Sequence, residues 1–124
     1  MSFQFSKAAI IEKNRVAISA AQAVINRLDG IGGLPDELET EKLKQRTRAR
    51  NLITQLRTVN ANLKAAGTVV KPLSDAVAEE LNDLGNILDK QIASDAILNA
   101  TLDFVISVLD DVGRLQAIVR SAQA

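Results

Sequence analysis

Apolar residues recur at steps of three and four positions along most of this 124-residue chain. In the first segment they fall on one side of a helix, while Glu12, Lys13 and Arg15 take the other side. This spacing is typical of amphipathic helices and differs from the alternation of a half-buried strand. The first apolar seam comprises Ile10, Ile11, Ala17, Ile18, Ala21, Val24, Ile25 and Leu28.

Glycine and proline divide the pattern into segments. Gly30 ends the first segment and opens a loop that continues to Pro35, Gly67 ends the second, and Pro72 opens the third. At this length one domain with a core of its own is the expectation, so we assign a single domain to residues 6–124, behind a tail of residues 1–5. The sequence predicts an all-α chain with helices near residues 6–29, 36–66, 71–93 and 95–121.

The junction between the last two segments is open to two interpretations. Neither Gly nor Pro occurs between Lys90 and Asn99, and only Ser94 and Asp95 could cap a new helix there. A turn at this point gives an antiparallel up-down bundle of four helices, which we favour. The alternative is three helices with a C-terminal helix of about fifty residues, roughly 75 Å long. The first helix could shield only part of that length, so such a chain would dimerise.

The fourth segment is the most apolar and carries two adjacent seams. It should therefore be central in the bundle or shared with another subunit. We expect a homodimer or a higher homo-oligomer that forms through one of these seams. Its residues are Leu98, Leu102, Val105, Leu109 and Val112.

The net charge of zero hides a polarity along the chain. Residues 1–64 hold eleven Lys and Arg against six Asp and Glu, whereas residues 65–124 hold four against nine. The simplest interpretation is that basic and acidic helices lie side by side.

The strongest charge motif is a run in which basic residues alternate with uncharged ones. On a helix, Lys42, Arg46 and Arg50 form one ridge, with Lys44 and Arg48 nearly opposite. These five residues interrupt the apolar seam of their own helix, so its first turns are expected to be weakly packed or to protrude. We interpret the run as a docking site for an acidic protein partner. The alternative is that the segment overhangs the bundle in solvent, or that it pairs with the acidic third helix.

The residue types that carry most catalytic chemistry are missing. The chain contains no His, Cys, Trp or Tyr, which supply most general bases, thiol nucleophiles, soft metal ligands and stacking surfaces. Carboxylates such as Glu79, Glu80 and Asp83 fall on the polar face of a helix, where they are expected to be solvated. We therefore expect no enzyme activity, no cofactor and no metal site.

The remaining function classes are all forms of binding. We favour a helical-bundle interaction or scaffold protein that self-associates and docks a protein partner. The first alternative is a membrane-active bundle, motivated by the apolar stretches 16–26 and 96–109. The second is nucleic-acid binding through the basic second helix, against which the lack of stacking side chains weighs. With no cysteine and no secretory signal pattern, we expect a cytoplasmic protein.

Overall fold

The computed structural model describes residues 5–65 and 67–123. These residues form four helices and no strand: α1 (Lys7–Gly30), α2 (Asp36–Lys64), α3 (Asp75–Ala93) and α4 (Leu102–Ser121). The prediction of an all-α four-helix bundle is confirmed, and the alternative with one long C-terminal helix is wrong. Most of the predicted tail, residues 1–4, lies outside the described residues, as does Ala66 at the predicted end of the second helix.

Three of the four helices begin at a hydroxyl side chain that accepts a hydrogen bond from the first turn. Ser6 Oγ accepts from Ala9 N at 3.1 Å, and Ser74 Oγ accepts from Val77 N at 3.3 Å. The Thr101 hydroxyl does the same for Phe104 N at 3.2 Å. These caps satisfy backbone N–H groups that have no partner inside the helix. They also correct two predicted boundaries, because α3 begins at residue 75 rather than 71 and α4 at 102 rather than 95.

The turn between α3 and α4 forms without glycine or proline. Asp95 adopts a positive φ of 56°, in the left-handed region that aspartate tolerates better than most residues. The chain then runs through turns to Thr101, and Ile97 and Ala100 are buried on the way. The apolar spacing therefore continues across a real break, since loop residues as well as helical ones fill the core.

The two central helices are α1 and α4. Each contacts the other three helices, whereas no residue pair of α2 and α3 comes into contact within the described ranges. Helix α2 runs antiparallel to α1, with Asn14 Nδ2 donating to Asn60 Oδ1 at 2.8 Å, and parallel to α4. The acidic α3 and the basic α2 thus lie on opposite sides of the α1–α4 pair. Helices of the basic and acidic halves of the chain do lie side by side, since α1 contacts α3 and α4 and α2 contacts α4, but α2 and α3 themselves are not neighbours.

The hydrophobic core draws on all four helices. On α1 the fully buried positions include Ala17, Ala20 and Ala21, whose small side chains let the other helices approach closely. Helix α4 buries both of its predicted seams, so it is central in the bundle. Its buried residues are Val105, Val108, Leu109, Val112, Leu115, Gln116, Ile118 and Val119.

The positive φ of Asp95, in the turn that separates α3 from α4, can be tested by substitution. Replacing Asp95 with Gly removes the steric cost of a positive φ and should raise the free energy of unfolding by up to about 1 kcal/mol. The matched variant Ser94→Gly changes a residue with a φ of −90° and should lower it by about 0.5–1 kcal/mol. Urea denaturation followed by circular dichroism measures both. An equal loss in the two variants would contradict the positive φ at Asp95.

Candidate docking surface

The N-terminal third of α2 is poorly covered by the rest of the bundle. The first buried residue of this helix is Gln45, and the side chains of Leu38 and Leu43 are 45% and 55% exposed. Gln45 occupies a seam position, and its amide donates to Glu41 Oε1 at 2.8 Å. The first turns of α2 therefore present helix surface that the core does not use, in line with the prediction of weak packing.

Two of the five predicted docking residues hold the α1–α2 corner together. Lys42 Nζ lies 2.8 Å from Glu39 Oε1 and donates to the Ile31 carbonyl at 3.0 Å, and its side chain is only 14% exposed. Arg46 Nε donates to Asp29 Oδ1 at 2.7 Å. These bonds tie α2 to the last turn of α1 and to the loop that follows it. Both cations are therefore already occupied within the molecule.

A third predicted docking residue, Arg48, connects α2 with α4. Its Nη2 atom lies 2.8 Å from Asp110 Oδ1 and donates to the Leu109 carbonyl at 3.4 Å. Its Nη1 atom donates to Gln45 Oε1 at 3.3 Å. Because a backbone carbonyl, a carboxylate and an amide share one guanidinium, this side chain has a structural role between the two helices.

The different surroundings of Arg48 and Arg50 predict different effects on stability. Arg48→Gln should lower the free energy of unfolding by about 1 kcal/mol, because it removes hydrogen bonds that join two helices. Arg50→Gln should change it by less than about 0.5 kcal/mol, since this side chain is exposed. Urea unfolding of both variants at moderate ionic strength is the measurement. A larger loss for Arg50→Gln would refute this assignment of roles.

The remaining predicted docking residues, Lys44 and Arg50, are exposed and form no ion pair with another described residue. Arg57 and Lys64 follow Arg50 at steps of seven, so the three lie on one side of α2, and they too are exposed and without an ion pair. We call Arg50, Arg57 and Lys64 the basic edge. Lys44 points about 120° away from Arg50 and takes no part in it. Our sequence reasoning missed Arg57 and Lys64, although their seven-residue spacing was visible.

Part of the basic edge borders an open groove of about 370 Å³ between α1 and α2. Arg50 and Arg57 line it together with the paired Arg46, and Gln22 and Thr54 add neutral polar groups. No carboxylate is among the residues that line this groove. The groove thus concentrates positive charge next to hydrogen-bonding side chains.

Helix α3 carries an exposed acidic surface, which we call the acidic edge. The neighbouring carboxylate of Glu80 is not part of this edge, because Arg114 donates a hydrogen bond to each of its oxygens, at 2.6 and 2.9 Å. The Arg114 hydrogen bonds hold the pKa of Glu80 below its ordinary value. The members of the acidic edge form no ion pair with the described residues. They are Asp75, Glu79, Asp83 and Asp89.

Asp111 on α4 differs from these carboxylates because it is half-buried. Burial, and to a lesser extent the adjacent Asp110, raise its pKa above the ordinary value. A raised pKa in the folded protein means that the charged form disfavours folding, so stability falls as pH rises through that pKa. At neutral pH, Asp111 therefore carries a small cost.

Removing this charge should stabilise the bundle at neutral pH. We expect Asp111→Asn to raise the free energy of unfolding there by less than about 1 kcal/mol. The gain should disappear below the ordinary pKa of an aspartate, where both folded and unfolded wild-type protein bind the proton. Urea unfolding between pH 7 and pH 3 tests this, with the exposed Asp83→Asn as the matched control. A gain that stays the same across that range would show that the charge is not its cause.

The predicted self-association seam lies largely inside the molecule. Val105, Leu109 and Val112 are fully buried in the core of a single chain. Leu102 is half-buried, and Leu98, in the α3–α4 turn, is 66% exposed. The reason is that α4 packs against three helices of its own chain, so both of its seams are covered. In this fold the seam does not form a surface for a second copy, and self-association itself stays a prediction.

Comparison of the chain with protein-family models, curated proteins and solved structures finds no match. Over the described ranges, none of the helices has the length and apolar character needed to cross a membrane. The same residues bring together no cluster of three or more acidic, His or Cys side chains that could hold a metal ion.

Proposed function

We propose that this protein is a non-enzymatic interaction module that docks a partner protein through the basic edge of α2. The observation that carries the proposal is the difference between the cations of this helix. Lys42, Arg46 and Arg48 are bonded within the chain, whereas the basic edge is exposed and free of carboxylate partners among the described residues. Uncompensated cations on one side of a helix favour an acidic partner surface.

The chemistry of the basic edge suits electrostatic recognition. Exposed charges contribute modestly to affinity, but they steer the encounter and select a partner of opposite sign. Two of the three residues are arginines, which bind carboxylates through two parallel hydrogen bonds. Such docking is reversible and weakens as salt is added.

A protein partner is favoured over a nucleic acid by charge and by side-chain type. The three cations of the basic edge, on a chain with no net charge, offer few phosphate contacts compared with ordinary nucleic-acid binders. The aromatic side chains are three Phe, of which Phe5 and Phe104 are half-buried against the core and so offer no open stacking surface.

The two apolar stretches that motivated the membrane alternative are mostly buried, with Leu98 as the exposed exception. The stretch 16–26 that motivated it packs its apolar face into the core, with Ala17, Ala20, Ala21 and Val24 fully buried. The stretch 96–109 likewise buries Ile97, Val105, Val108 and Leu109. Membrane binding through these segments would require the bundle to open.

The proposal is tested by capture from a lysate of the native source, followed by identification and reconstitution of the captured protein. We expect a partner that binds the wild-type chain, dissociates as salt is added, and is lost from a variant without the basic edge. That variant is Arg50→Gln, Arg57→Gln, Lys64→Gln. The control with the same loss of charge is Lys71→Gln, Lys90→Gln, Arg120→Gln, which should retain the partner.

Three outcomes would overturn the proposal. Equal capture by both variants would show that the basic edge is not the docking surface. Loss of capture after nuclease treatment would indicate a nucleic acid, and capture that requires phosphatidylserine vesicles would indicate a membrane. Circular dichroism of each variant checks that the fold is kept.

A further inference from the structure

We propose that the acidic surface recognised by the basic edge is the acidic edge of a second copy of this chain, so that the protein associates head to tail. This inference rests on the proposed function, because it names the partner of the same edge. It does not involve the buried seam of α4. Each molecule thus carries both a basic edge on α2 and an acidic edge on α3 that is complementary to it in charge.

The arrangement of the helices leaves both edges available at once. Helices α2 and α3 lie on opposite sides of the α1–α4 pair and do not contact each other within the described residues. The basic edge of one copy and the acidic edge of the next therefore meet without either copy opening its core. Because the two surfaces differ, the contact is heterologous, and repeating it builds an open chain rather than a closed dimer.

The spacing of the charges along the two helices also matches. Successive cations of the basic edge are seven residues apart, a rise of about 10.5 Å along α2. The three aspartates of the acidic edge are eight and six residues apart, rises of about 12 and 9 Å along α3. In an antiparallel contact the charges agree in axial rise to within about 1.5 Å, with Asp83 and Asp89, which point about 120° apart around α3, reaching the contact from its two sides. The pairs are Arg50 with Asp89, Arg57 with Asp83, and Lys64 with Asp75.

The antiparallel direction follows from the fold. Helix α3 runs parallel to α1, since Lys13 lies against Gly85 and Asn26 lies near Ile92. Helix α2 runs antiparallel to α1, so α2 and α3 point in opposite directions within one chain. A second copy shifted sideways without rotation therefore presents its α3 antiparallel to α2 of the first. The second copy must also shift by roughly 10 Å along the helix axis, because Arg50 lies level with Gln22 and Ile25 of α1 whereas Asp89 lies level with Lys13 and Val16.

The association is expected to be weak and sensitive to salt. Both edges are exposed, so their charges are solvated and screened over about 10 Å at 0.1 M ionic strength. Lys90 lies next to Asp89 and reduces the negative charge at that end of the acidic edge. Glu79 and Asp83 in the middle of the edge supply the carboxylates that Lys90 does not offset.

Sedimentation velocity of the purified chain at low ionic strength provides the first measurement. The wild-type protein should form species larger than a dimer as its concentration rises, and these should disappear at about 0.5 M NaCl. Arg50→Glu with Arg57→Glu should raise the dissociation constant at least tenfold. Asp83→Lys with Asp89→Lys should do the same. The control Lys71→Glu with Arg120→Glu makes the same charge change as the basic-edge variant and should still assemble.

Mixing the two edge variants is the decisive experiment. Each keeps one native edge and reverses the other, so neither assembles alone but a 1:1 mixture should. Three results would overturn the inference. The wild-type chain could stay monomeric at low salt, both charge-reversal variants could assemble as the wild type does, or the 1:1 mixture could fail to associate. If a different partner is still captured through the basic edge, the proposed function stands and only the second copy is excluded. If the chain does not self-associate and no other partner is captured through the basic edge, both proposals are wrong.

Discussion

The close packing of α1 against α4 is the contact on which the rest of the structure depends. Ala17, Ala20 and Ala21 of α1 are fully buried and let its neighbours approach closely, and α1 and α4 form the middle of the bundle. Helices α2 and α3 are left to cover the two sides of this pair. The segment from Gly67 to Ser74 then lies at the end of the bundle, where the Lys71 N–H donates to the Ala122 carbonyl at 2.7 Å.

This packing decides where the charges lie. Each flanking helix buries one face against the central pair and turns its polar face outward, away from the other flanking helix. Since α2 is rich in cations and α3 in carboxylates, the two cannot neutralise each other inside one molecule. A chain with no net charge therefore carries a positive side and a negative side. In the head-to-tail association that we propose, attraction between molecules replaces the pairing that the fold prevents within one.

The sequence predicted the local structure well and the long-range arrangement poorly. Apolar spacing, Gly30 and the cap at Ser6 were sufficient for the helices, because these signals act within a turn or two. The break at Asp95 was harder, since no residue there excludes a continuous helix and the apolar spacing runs through it. Which helices become neighbours depends on the close packing between α1 and α4. The pattern of charges along the chain does not predict this packing. The separation of the basic α2 from the acidic α3 could not be predicted for this reason.

The basic run shows why a charge motif in the sequence is not yet a site. Its five cations look equivalent in the chain, but Arg46 and Arg48 face carboxylates on α1 and α4, whereas Arg50 faces solvent. A cation held by a carboxylate of its own chain must give up that partner before it can bind another, which offsets most of the gain. Free cations pay no such cost. The docking surface that we propose is therefore the part of α2 that the fold leaves unpaired, and it extends beyond the run to Arg57 and Lys64.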